Sequence, residues 1–212
     1  MHQTRRRALW FLCACGLCAC GLPAASDLTA AQALSPAPSA AAQKLIDAAR
    51  RQIGVTLRYD PAYSQLAFPN GDVPRERGVC TDVLIRAYRD AFALDLQALI
   101  NRDMRSDFAA YPHKWGLTRP DANIDHRRVL NLQVFFRRKG GELALGEAAL
   151  FAPGDLVSMT LPGNLPHIGI VSDRLDDAGR RVFIHNIGQG AREEAVLGLY
   201  PLTGRYRWLP AA

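Results

Sequence analysis

Apolar residues recur at helical spacing over residues 79–93, where Val79, Val83, Leu84, Ala87, Tyr88, Ala91 and Phe92 mark the face of a helix packed on a core. An earlier run, about 40–53, sets Leu45, Ile46, Ala49 and Ile53 on one face and stops at Gly54. Residues 94–110 continue as a second helix or helical hairpin that ends before Pro112, and 126–139 reads as a short helix closed by Gly140. Between these, 55–59 ("VTLRY") is briefly extended, "DPAYSQLAFPNGDVPRERG" is a Pro/Gly-rich loop, and "HKWGLTRPDANID" is another loop.

From residue 141 the period shortens. "GDLVSMTL" (154–161), "HIGIVSD" (167–173), "RRVFIHNI" (180–187) and "GRYRWLP" (204–210) are short β-rich runs parted by Gly, Pro or Asp turns. Helices first and an antiparallel meander afterwards predict an α+β fold.

The N-terminus follows a different pattern. "MHQTRRRALWFLCACGLCACGLPAAS" has a basic start, about fifteen mostly apolar residues from Ala8 to Leu22, and then small residues. That is the form of a secretory signal over 1–25, because a membrane span needs about twenty apolar residues. "LCAC" at 17–20 resembles a bacterial lipobox, which would place a lipid on Cys20 as the sole membrane attachment. Cleavage near Ala24-Ala25-Ser26 would instead release a free protein. Both readings export the chain to the periplasm, one of them anchored to the outer membrane. The Ala/Pro/Ser-rich stretch 26–43 reads as a linker, leaving one domain over 44–212.

Composition narrows the function classes. Hydrophobic residues make up 49% and charged residues 22%, which suits a globular domain with a real core. The net charge of +6 halves once Arg5, Arg6 and Arg7 are assigned to the leader. No basic run with interleaved aromatics appears, so nucleic acid is not an expected partner. Four of the five cysteines lie in the leader, and Cys80 is left without a disulfide partner in the domain.

Cys80 opens the 79–93 helix. Free N–H groups and the helix dipole favour an anion there, which would stabilise a thiolate. Its face also carries Leu84, Ala87 and Ala91, so a small buried hydrophobe is the plain alternative. A nucleophilic cysteine needs a base and a group that orients it. His167 begins one strand and His185 ends the next. A hairpin turning at 173–180 would set these strands side by side, with both imidazoles facing the helix of Cys80. Structural, hydrogen-bonded histidines are the competing reading.

A helix-start Cys, then "GDLV", then "HIGIVSD", then "VFIH" resembles the NlpC class of papain-like cell-wall peptidases and amidases. "CTDVLIRAYRDA" and "WGLTRPDANIDHRR" are similar to the YijF-like branch of secreted bacterial proteins of unknown function. The resemblance spans about residues 44–210 and implies a papain-like fold. It implies Cys80 as nucleophile, His167 as base and His185 as its orienting partner, with Asn186 as the runner-up for that third place. The Cys80 N–H would form part of an oxyanion hole, and Tyr59 would border the substrate cleft.

The chain also departs from that class. Asp-Cys-Ser is usual there, whereas this sequence has Val79-Cys80-Thr81-Asp82. Thr81 stands in for the Ser, and Asp82 offers a carboxylate from another angle or simply complements the helix dipole. In "RPDANIDHRR", Asp125, His126, Arg127 and Arg128 are further candidates for substrate binding, where guanidinium groups suit carboxylates. Capping of the 126–139 helix by Asp125 is the structural alternative. No compact metal motif, phosphate loop or nucleophile elbow is present, and no cofactor is expected.

The expected activity is hydrolysis of an amide bond through a thioester, with peptidoglycan stem peptides or another peptide as substrate. Acyl transfer uses the same intermediate. A non-catalytic module binding wall fragments or a protein, and a redox or metal-sensing thiol, are the rivals.

Overall fold

The computed structural model describes residues 37–146 and 151–210. The leader 1–25, Cys20 and residues 26–36 of the linker lie outside the described residues. Helix α1 spans Ala40–Arg50, so it starts inside the stretch read as linker; the Ser39 hydroxyl accepts the Ala42 N–H at 3.2 Å and caps it. Helices α2 (Cys80–Phe92) and α3 (Leu96–Ser106) follow, parted by Ala93 in the left-handed region and by Asp95, which caps α3 through the Gln97 N–H. Helix α4 covers Val129–Arg138.

The expected 126–139 helix thus begins three residues late. Residues 125–127 form a separate 3-10 turn, because the Asp125 carboxylate is taken by the Asp121 N–H (2.6 Å) and by Arg128 (2.9 Å). Arg128 precedes α4 without a side-chain cap.

Two short strands, β1 (Arg58–Tyr59) and β2 (Arg77–Gly78), pair in parallel beside the start of α2. The main sheet holds six antiparallel strands: β3 (Glu142–Leu143), β4 (Leu156–Leu161), β5 (Leu165–Leu175), β6 (Arg181–Asn186), β7 (Ala191–Glu194) and β8 (Leu202–Tyr206). Their order is β3-β8-β4-β5-β6-β7. The meander therefore holds for β4 to β7, while the last strand crosses back to lie between β3 and β4. The fold is α+β, with four helices and a six-stranded antiparallel sheet among the described residues.

Strand alternation divides the sheet into two faces. Leu156, Ile168, Ile170 and Ile184 pack with α1 and α2 in the main core, which also holds Cys80, Val83, Leu84 and Ala87. Val157, Met159, Val171 and Phe183 form a second cluster on the opposite face with Phe151. His167 pairs in register with Met159, and the rings of both His167 and His185 lie against Phe183. The two histidines thus stand side by side on neighbouring strands, with Phe183 behind them. The hairpin expectation placed the right strands together.

Polar clamps fasten the helices to the rest. Arg50 of α1 pairs with Glu193 of β7 at 2.8 Å and with Asp173 of β5. Arg86 of α2 is fully buried; its guanidinium donates to Asp72, to the Thr56 hydroxyl and to the carbonyls of Val73 and Arg77. These bonds gather the 56–77 segment against the helix that carries Cys80.

Candidate active site

Cys80 is the first residue of α2 and is 3% exposed. Val79 before it is extended, and its N–H donates to Asp82 at 2.7 Å, which fixes how the helix begins. Three backbone N–H groups, from Ile168, Thr81 and Cys80 itself, favour the thiolate. Burial opposes them and dominates, and Asp82 adds repulsion, so the thiol is pushed up to about 11. Helix position was expected to yield a thiolate. Desolvation keeps the resting group a neutral thiol.

The Ile168 N–H approaches the sulfur, and His167 is its neighbour in the chain, one Cα step of about 3.8 Å away. From imidazole to thiol the route therefore runs past the 167–168 peptide at the end of β5. His167 is 1% exposed, and burial, with a smaller contribution from His185, pushes it down to about 3.

His167 Nε2 lies 2.8 Å from His185 Nδ1, and His185 Nε2 lies 3.1 Å from the Glu194 carboxylate. A carboxylate only accepts, so His185 donates through Nε2 and accepts through Nδ1. His167 must then carry its proton on Nε2, which leaves Nδ1 with a free lone pair. The relay Glu194–His185–His167 presents a neutral base. Burial lowers His185, and Glu194 opposes that shift.

Gly169 makes room for this arrangement. A Cβ there would stand 2.6 Å from the Phe183 ring and from the Ile184 carbonyl oxygen. The Phe183 ring occupies that space and buttresses both imidazoles.

Asn186, the runner-up for the third position, is engaged elsewhere. Its Nδ2 donates to the Gly78 carbonyl at 3.0 Å, tying β6 to the β2 end next to Val79. Tyr59 has its hydroxyl in contact with the Cys80 sulfur, and burial, followed by Cys80, raises it to about 12. At 38% exposed it lines the cavity beside Cys80.

The remaining binding candidates are mostly structural. Thr81 is buried and donates its hydroxyl proton to the Arg127 carbonyl at 3.0 Å. Asp82 forms a two-pronged pair with Arg127, each bond 2.9 Å, with both side chains almost fully buried. This carboxylate is therefore spent and cannot replace the acid that Val79 lacks. Asp125 is buried against the Asp121 N–H and Arg128, and burial raises it. His126 lies buried outside the cleft lining, its Nδ1 unpaired, and burial and then Arg127 lower it to about 4.

An open cavity of about 230 Å³ adjoins Cys80, lined by Tyr59, Val79, Lys114, Trp115, Arg127 and Arg128 among others. Lys114 and Trp115 escaped the sequence reading, as did Glu194. "HKWG" looked like an ordinary loop, and "AREE" carries no apolar alternation to mark an edge strand. Among the described residues, no group of three His, Cys, Asp or Glu side chains is placed to hold a metal ion. None of their helices is long and apolar enough to cross a membrane.

The sequence matches the family model described as Domain of unknown function (DUF1287) over residues 46–208. It is 52% identical over 165 residues to Uncharacterized protein YijF of Escherichia coli strain K12, covering 77% of this chain and 80% of that protein. The match takes in the helix-start cysteine, both strand histidines and the cleft loop, and the chain belongs to the DUF1287 family.

Proposed function

We propose that this protein is an exported cysteine hydrolase of the papain-like NlpC type, acting in the periplasm on amide bonds of peptidoglycan stem peptides. The observation that carries the reading is the Glu194–His185–His167 relay, which leaves His167 Nδ1 as a base at the strand end whose next N–H contacts the Cys80 sulfur. A structural histidine pair needs no such directed tautomer, and a buried inert thiol needs no adjoining cavity.

In the first step His167 Nδ1 takes the thiol proton while the sulfur attacks the substrate carbonyl. The Cys80 N–H faces the oxyanion, where one donor is worth about 3 kcal/mol. Collapse breaks the C–N bond, the imidazolium hands its proton to the leaving amine, and a thioester remains. Water, deprotonated by the same imidazole, then releases the acid and restores the thiol. An amine in place of water gives acyl transfer by the same route.

A resting pair of neutral thiol and neutral imidazole fits general-base attack rather than a standing ion pair. The test is incubation of the mature domain and its Cys80→Ala variant with muropeptides, followed by mass spectrometry. New amine and acid termini, formed by the wild type alone, support the reading. Equal inertness with retained wall binding would favour a binding module instead.

A further inference from the structure

The cavity beside Cys80 has a one-sided charge. Its lining includes Lys114, Arg127 and Arg128 and no acidic side chain. Arg127 is neutralised by Asp82 behind it. Arg128 donates to Asp125 through Nη1 alone, and among the described residues its Nε and Nη2 have no acceptor. Lys114 is exposed and has no carboxylate partner among the described residues.

Lys114 and Arg128 both lie against one aromatic ring. The Arg128 guanidinium carbon lies 4.0 Å from the Trp115 ring centroid, and the Lys114 ammonium lies 5.7 Å from it. Stacking on an indole holds a guanidinium in a fixed plane while leaving its edge open for a planar anion. The neighbouring carboxylates are already engaged. Asp60 pairs with Arg77, and Asp121 accepts from the Tyr63 hydroxyl and the Asn123 N–H.

We propose that the cleft selects a substrate bearing a carboxylate beside the amide it presents to Cys80, with Lys114 and Arg128 binding that carboxylate next to Trp115. This rests on the hydrolase reading and gives it a substrate class: acidic acyl peptides rather than peptides recognised by a free amino end. A substrate ammonium would meet the unpaired Lys114 and the outward donors of Arg128 and find no available carboxylate, whereas an anion completes those donors.

Paired alkylating reagents test the subsite without requiring turnover. The rate of Cys80 alkylation by iodoacetate relative to iodoacetamide, normalised to free cysteine, should exceed unity by about fivefold at low salt and fall as salt is added. Lys114→Gln and Arg128→Gln should each lower this preference, and the double variant should bring it to about one. A wild-type ratio of one, or a preference that survives both substitutions, overturns the proposal. An anion preference in a protein that cleaves no muropeptide would sink the hydrolase reading and still support the subsite.

A second measurement serves if the buried thiol reacts with neither reagent. Acetylglycine and acetylglycinamide are titrated into the Cys80→Ala protein, following the Trp115 indole N–H signal. Shifts with acetylglycine alone, lost in Arg128→Gln, support the subsite; equal shifts or none with both probes overturn it. Thermal melts establish that Arg128→Gln, which also loses Asp125, remains folded.

Discussion

His167 and His185 face each other across β5 and β6, with Nε2 of the first 2.8 Å from Nδ1 of the second. Because Glu194 accepts from the far nitrogen of His185, the proton positions follow from hydrogen-bond valence alone. His185→Ala leaves His167 free to adopt the wrong tautomer, and kcat should fall by about 10²-fold or more with little change in KM. His185→Asn keeps an acceptor for His167 Nε2 and should retain more activity than Ala. Glu194→Gln should cost about tenfold in kcat, since an amide oxygen still accepts but stabilises the imidazolium less. Equal activity of all three variants and wild type would rule the relay out.

Cys80 should behave as a high-pKa thiol. Burial raises it to about 11, so at neutral pH the thiolate is a minor species, and alkylation by iodoacetamide should still be rising at pH 9. A plateau reached below pH 7 would mean that the helix N-terminus and the imidazole outweigh desolvation. The measurement is the second-order alkylation rate across pH, with the Cys80→Ala protein as blank.

Acid should destabilise the fold within a defined window. His126 falls to about 4 and His167 to about 3 through burial, against about 6.5 in the unfolded chain. Between those values the unfolded state binds more protons than the native state, so stability rises with pH. Stability is fully present above about pH 6.5 and is lost as pH falls through the window, by up to about 1.4 kcal/mol per pH unit for each histidine. Urea melts of wild type and His126→Gln at pH 7 and pH 4.5 test this; the variant should lose the smaller share. An identical pH slope in the two proteins would contradict it.

How far these features were legible in the sequence depended on whether local pattern or tertiary contact decided them. The 3.6-residue period of Val83, Leu84, Ala87 and Tyr88 survives in α2, because that face is the one that packs. The same rule missed the true start of α4, since the Asp121–Asp125 bond, a local polar contact, forms a turn before it. His167 and His185 are recognisable as a pair on neighbouring strands. Arg127 and Arg128 are adjacent in the sequence and alike in type. Only the position of Asp82, 45 residues earlier, separates the buried clamp from the open cation.

That clamp gives the last prediction. Arg127 donates two bonds of 2.9 Å to Asp82, the side chains being 2% and 4% exposed, and Asp82 also takes the Val79 N–H that sets the start of α2. Removing one partner leaves a buried charge without its counterion, so Asp82→Ala and Arg127→Ala should each destabilise the domain by about 3–5 kcal/mol. Replacing both, as Asp82→Ala with Arg127→Ala, removes the uncompensated charge and should cost less than the two single losses added together. Denaturant melts of the four proteins form the cycle. Additive losses would show that the two side chains act separately. A coupling of a few kcal/mol would establish that the pair locks the Cys80 helix start to the turn bearing Arg128, joining nucleophile and carboxylate subsite through one buried contact.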